Sequence, residues 1–164
     1  MTRSFRFLPL LLALAVSGCG LFGGSRAPEP GPGEPEPDEP VRPTTVEIAG
    51  TGTMNAGGNA ARVYLYALAS EATFLSTPVQ VFWNDPEGTL GSDIVGASRD
   101  ATARPGGTVV LGDLVLGDAA FLGVAADLRT PVGTTWRAVI PASEVRGHTV
   151  RVTVTEGGLT VTSQ

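Results

Sequence analysis

Cys19 and His148 are the one thiol and the one imidazole in a chain of 164 residues. Nucleophilic hydrolysis needs a Ser, Thr or Cys held beside a base, and a single imidazole leaves little choice of base. His148 opens a Val/Thr run that reads as a strand, so its expected role is that of an exposed strand-end residue. No Gly-x-Ser-x-Gly elbow occurs, and one His with one Cys falls short of the N and S ligands that a structural zinc site requires. Asp85, Glu87 and Asp93 cluster within residues 85–93, in a stretch that loosely follows a calcium loop but misses its Asp-x-Asp-x-Asp-Gly register and its closing Glu. A glycosidase needs two acids converging in a cleft, whereas the acids here sit on scattered turns and the few aromatics are needed for a core. The glycines fall in turns and in a linker, not between a strand and a long helix as a phosphate cradle requires. The expectation is a protein that is not an enzyme, with no metal, no cofactor beyond a covalent group on Cys19, and no small-molecule substrate.

What surrounds Cys19 gives its sulfur another use. Arg3 and Arg6 form a positive start, and Phe7 to Val16 is an apolar run too short to cross the roughly 30 Å of a bilayer's hydrocarbon as a helix. This reads as a cleaved signal, with Val16, Ser17 and Gly18 as the small residues before the cut. Residues 14–19, Leu-Ala-Val-Ser-Gly-Cys, resemble a bacterial lipobox. The resemblance implies cleavage before Cys19 and a diacylglycerol on its thiol. Gly20 follows where similar lipoproteins retained in the inner membrane commonly carry Asp, which implies sorting to the outer membrane. At about 0.8 kcal/mol per buried methylene, more than one acyl chain makes such an anchor durable.

Residues 20–43 shift to Pro, Gly and acid. Pro28, Pro30, Pro32, Pro35, Pro37, Pro40 and Pro43 alternate with Glu29, Glu34, Glu36, Asp38 and Glu39. Such a stretch cannot bury a core, and Pro with like charges favours extended geometry. At about 3.1 Å per residue, residues 27–43 reach on the order of 50 Å as a stiff tether. The organisation expected is a signal peptide over 1–18, a lipidated Cys and Pro/Glu-rich tether over 19–43, and one folded domain over 44–164.

All 11 basic residues are Arg, and against 16 acids they leave a net charge of −5. An acidic chain does not seek phosphate backbones, so nucleic acid is not an expected partner. A single Cys forms no internal disulfide, and the domain's stability must come from its core.

From Thr44 onward short runs of period two are separated by Gly, Asn, Asp and Pro, the pattern of an antiparallel all-β domain. Residues 45–52 form a first strand. Val63, Leu65 and Ala67 alternate with Arg62, Tyr64 and Tyr66, which predicts a second strand with one buried and one shown face. Residues 108–115 and 121–126 are more continuously apolar, as central strands covered on both faces would be. Trp136, Ala138 and Ile140 alternate with Arg137 and Val139, which predicts a core Trp136 and an Arg137 that points to solvent or pairs with a carboxylate. Val150, Val152 and Val154 continue the same period, and Glu156-Gly157-Gly158 offers the positive φ angles of a tight turn before Leu159 and Val161. The count is about seven or eight strands.

One segment departs from this period. Thr77 can cap a helix, Pro78 suits its first position, and Gln80 can close a capping box. A short helix is therefore expected between the second and third strands. Val79, Phe82 and Trp83 would cover the sandwich, and Asn84-Asp85-Pro86 would end the helix.

The order of these pieces resembles the type VI secretion outer-membrane lipoprotein family of the TssJ or VasD type. The resemblance rests on Met54-Asn55, on Arg62-Val63-Tyr64-Leu65-Tyr66-Ala67-Leu68, on Leu90-Gly91-Ser92-Asp93, on Arg104-Pro105-Gly106, on residues 122–129 and on Trp136-Arg137-Ala138. It implies a transthyretin-like β-sandwich with an added helical segment, anchored at the periplasmic face of the outer membrane. It also implies a partner, the periplasmic C-terminal region of a TssM-type inner-membrane protein. The family's gripping loop between the first two strands corresponds by position to Asn55, Ala56, Gly57, Gly58 and Asn59, here short, neutral and Gly-rich. The alternative reading is a lipid-anchored periplasmic binding module for calcium or carbohydrate that uses Asp85, Glu87 and Asp93.

Overall fold

The structure, a computed structural model, describes residues 41–164. Cys19, the signal over 1–18 and most of the segment 19–43 lie outside the described residues. Eight strands form two four-stranded sheets, in the orders β4-β1-β7-β8 and β3-β2-β5-β6. The strands are β1 (Thr44–Gly50), β2 (Ala61–Leu68), β3 (Arg99–Ala103), β4 (Thr108–Leu114), β5 (Phe121–Ala126), β6 (Arg137–Pro141), β7 (Thr149–Val154) and β8 (Leu159–Ser163). This is the all-β domain of about seven or eight strands that the alternation predicts, folded as the transthyretin-like sandwich that the family resemblance implies. Five strand pairs are antiparallel, while β1 pairs with β7 in parallel, with Val46 opposite Val150 and Ile48 opposite Val152. Local alternation could not distinguish that pair, because parallel and antiparallel neighbours share the same period of two.

The core lies where the two inner faces meet. Val46, Ile48, Val150, Val152 and Val154 from one sheet face Val63, Leu65, Leu122 and Val124 from the other, all of them fully buried or nearly so. β5 is covered on both faces, as its continuous apolar run predicts. β4 is not: it stands at a sheet edge with Val110 exposed. The apolar run there reflects one inward row, Val109 and Leu111, and an outward Val110. An irregularity in its register with β1, where Asp113 has a φ of 54°, interrupts the edge.

Between β2 and β3 the chain forms three short helices, where the sequence predicts one. They are α2 (Ala72–Ser76), α3 (Val79–Asn84) and α4 (Pro86–Leu90), followed by a 3-10 turn over Gly91–Asp93. Thr77 does not cap α3. Its hydroxyl donates backward to the Thr73 carbonyl at 2.7 Å, and Pro78 takes the capping position. Asp85 ends α3 as expected and then caps α4, its carboxylate accepting from the Gly88 N–H at 3.0 Å with Pro86 in the first turn.

These helices cover the outer face of the β2–β5 sheet, which corrects the expectation of a shown face at Tyr66. Tyr66 is 1% exposed, and its ring meets Phe74 at 6.1 Å and Phe82 at 6.1 Å edge-on. Trp136 is buried as predicted, but with this second layer: it lies 5.0 Å from Phe82 and 5.7 Å from Trp83 between ring centroids. Gly123 makes the close approach possible, because a Cβ there would stand 2.7 Å from the Leu68 Cδ1 and 3.5 Å from the Phe74 ring.

Candidate functional site

The direction of each strand sorts the connections into two ends. At one, Thr44 begins β1, its hydroxyl donating to the Val145 carbonyl at 2.8 Å. The Thr45 N–H donates to the His148 carbonyl at 3.1 Å, and His148 is exposed beside it, as the sequence predicts. A cavity of about 400 Å³ lies there, among Val41, Arg42, Val115 and Arg146. The Arg146 guanidinium is committed to the Gly117 and Ala119 carbonyls, each at 2.8 Å. Residues upstream of Thr44 therefore join the sandwich at this end. β1 has 7 residues, so the opposite end is roughly 20 Å away.

The opposite end carries the loop singled out in the sequence. Met54–Gly57 forms a single turn, α1, in which Asn55, Ala56, Gly57 and Gly58 all have positive φ, at 48°, 59°, 90° and 92°. Glycine adopts this region freely and Asn tolerates it, while Ala at such an angle carries a cost of about 1 kcal/mol.

Hydrogen bonds hold the turn in place. Asn55 is 3% exposed, its Nδ2 donating to the Ala60 carbonyl at 2.7 Å. Its Oδ1 accepts from the Arg129 N–H at 2.7 Å. The backbone N–H groups of Asn55 and Ala56 donate to the carbonyls of Thr155 and Glu156, each at 3.0 Å. Asn59 closes the turn through its Nδ2, at 3.0 Å from the Asn55 carbonyl and 2.9 Å from that of Ala56.

The β1–β2, β5–β6 and β7–β8 connections thus form one hydrogen-bonded platform. The β3–β4 turn joins it where the Gly50 N–H donates to the Gly107 carbonyl at 3.0 Å. Of the five residues assigned to partner contact, Asn55 turns inward, Ala56 and Gly57 are exposed, and Gly58 and Asn59 are half-buried.

The β7–β8 turn corrects a further expectation. Gly157 and Gly158 are not among the residues of positive φ. They are needed for space: a Cβ on Gly157 would stand 2.8 Å from the Val132 Cγ2, and one on Gly158 would stand 2.6 Å from the Thr135 Oγ1. The sequence showed the glycines but not the β5–β6 loop packed over them.

Asp85, Glu87 and Asp93 do not form a ligand set. The Asp85 carboxylate caps α4, and the Glu87 carboxylate accepts from the Ser98 hydroxyl at 2.8 Å. Among the described residues no three His, Cys, Asp or Glu side chains converge as metal ligands would. Arg137 is half-buried, and its guanidinium is committed to backbone carbonyls where the sequence suggested open solvent or a carboxylate. Its Nη1 donates to the Phe74 carbonyl and, at 2.6 Å, to that of Thr77, and its Nη2 donates to the Leu75 carbonyl. The guanidinium stacks 4.6 Å from the Trp136 ring centroid, and burial pushes its pKa down. Its sequence neighbours gave no sign of this, because the carbonyls belong to helices some 60 residues earlier.

A model of the type VI secretion lipoprotein family, which includes VasD, EvfM and TssJ, matches residues 42–157. The chain belongs to this family. It is a family of type VI secretion lipoproteins and not a known family of enzymes. Among solved structures, the chain is similar to Serratia marcescens Lip, a membrane-bound component of the type VI secretion system. The TM-score is 0.67 at 21% identity, over 76% of this chain and 98% of that one. TssJ1 of Pseudomonas aeruginosa gives a TM-score of 0.61 at 22% identity, over 74% of this chain and 97% of that one. A chain in the structure of the TssM C-terminal domain from EAEC gives 0.64 at 25% identity, over 74% of this chain and 98% of that one. No curated protein matches.

Proposed function

We propose that this type VI secretion lipoprotein is an anchor: Cys19 carries a lipid that holds it at the periplasmic face of the outer membrane, and residues 19–43 act as tether. The loop-bearing end binds the periplasmic C-terminal region of a TssM-type inner-membrane protein and so fixes the secretion membrane complex. The observation that carries this reading is the polarity of the sandwich. The chain enters at Thr44, while the platform built on Asn55 stands at the far end of β1, so membrane attachment and partner contact do not compete for the same surface. That a similar chain occurs in a structure of the TssM C-terminal domain supports the choice of partner.

The mechanism is attachment. A lipid anchor on one membrane and a tether of limited reach keep the domain at high effective concentration near a partner rooted in the other membrane. A modest domain affinity then holds a large assembly. The test is Cys19→Ser. The expected result is a folded, soluble protein in the periplasm that no longer supports secretion; full secretion by this variant would refute the anchor.

A further inference from the structure

Val132 is 66% exposed at the tip of the β5–β6 loop, and among the described residues it is the one exposed large apolar side chain at the loop-bearing end. The others, Leu75 and Val81 on the helices, Val110 on β4, and Val41 and Val115 at the tether end, lie elsewhere. Water gains nothing from a valine held outward, yet the backbone presenting it is fixed on both sides. The Val132 N–H donates to the Gly157 carbonyl at 3.0 Å, and the Val132 carbonyl accepts from the Thr135 N–H at 3.0 Å. The Thr135 hydroxyl stands 2.7 Å from the Val132 carbonyl and 2.9 Å from that of Gly157. The bare Cα of Gly157 leaves the room in which the Val132 side chain sits.

We propose that Val132 is the apolar anchor of the partner interface and inserts into an apolar pocket on the periplasmic region of the inner-membrane protein. This rests on the anchor reading above. The occupant follows from continuity: the loop of Val132 is bonded to the β7–β8 turn at Gly157, and that turn is bonded to the β1–β2 loop through Thr155 and Glu156. Whatever docks on Ala56 and Gly57 meets the same rigid platform. A side chain whose backbone is already ordered loses little freedom on docking, which favours its use as a contact. Burial of an exposed valine supplies an apolar gain that the neutral Asn55–Asn59 loop lacks.

The test measures binding of the full-length lipoprotein in detergent to the purified periplasmic C-terminal region of the TssM-type protein from the same organism. Val132→Glu is expected to weaken binding at least tenfold with an unchanged melting temperature, because the side chain makes no core contact. Val132→Ala should give a several-fold loss, and Leu75→Glu, on the helices, none. Gly157→Ala should also weaken binding, since its Cβ displaces Val132. Wild-type protein that binds while Val132→Glu binds equally well overturns this inference and leaves the anchor reading standing. Wild-type protein that fails to bind overturns both.

Discussion

Asn55 Oδ1 accepts a hydrogen bond from the Arg129 backbone N–H at 2.7 Å, across 74 positions of sequence. The same side chain donates to the Ala60 carbonyl, so one buried amide satisfies both its own loop and the loop that presents Val132. The loop-bearing end is therefore organised from within, by a residue buried beneath its exposed surface.

Asn55→Ala leaves the Arg129 N–H and the Ala60 carbonyl without their partner and puts a β-carbon residue with no side-chain acceptor at a φ of 48°. The expected cost is about 2–4 kcal/mol of unfolding free energy, read from urea denaturation. Asn55→Asp keeps the acceptor for Arg129 and loses the donor, so it should fall between. Equal stability of all three proteins would mean that the amide is not what holds the loops together.

Ala56 offers the opposite sign. It is exposed and sits at a φ of 59°, where a Cβ is strained and glycine is not. Ala56→Gly relieves that strain but frees the unfolded chain, and the expected net effect is a stabilisation of about 0.5–1 kcal/mol. A higher denaturation midpoint with an unchanged slope checks it.

How far the sequence could be read depends on how local each determinant is. Period-two alternation placed the strands, because Val46, Ile48, Val150 and Val152 announce one buried face whatever their neighbours are. It failed at Tyr66, where the outer face is covered by helices that arrive later in the chain, and at β4, where an apolar run stands at an edge. The site was legible as a position and not as a structure. Asn55 reads as a polar loop residue until Arg129, Thr155 and Glu156 are brought beside it. Gly157 reads as a turn glycine until Val132 lies over it.

Arg62 on β2 and Asp100 on β3 are diagonal cross-strand neighbours, Asp100 standing opposite Tyr64, and they are bound through the Arg62 Nε at 2.8 Å and Nη2 at 3.0 Å. The hydrogen bond from Arg62 holds the Asp100 carboxyl below the usual carboxylate range. A depressed folded-state pKa contributes stability that is present above the unfolded value, about 3.9, and is lost as pH falls through the folded one. The melting temperature of wild-type protein should therefore exceed that of Asp100→Asn by a constant margin at neutral pH, and the margin should close in acid below about pH 4. The pair is open to solvent, with the Arg62 side chain 56% and the Asp100 side chain 35% exposed, so the margin should be small and should shrink in high salt. A margin that persists at low pH would assign it to packing.

Arg137 makes the strongest demand on the second layer. Its two Nη atoms reach three carbonyls at the end of α2, where a helix leaves acceptors unpaired, while its plane lies on Trp136. Bonds to a charged donor contribute about 1.5–3 kcal/mol each before overlap is counted, so Arg137→Ala should cost about 3 kcal/mol in all. Arg137→Lys keeps the charge but not the planar fork, which alone fits carbonyls at Phe74, Leu75 and Thr77 together; it should recover less than half of that loss. The near-UV circular dichroism of the Tyr66, Phe74, Phe82, Trp83 and Trp136 cluster should weaken in both variants while the far-UV strand signal stays. That pattern would place the damage in the helical layer and leave the sandwich, and the platform built on Asn55, intact.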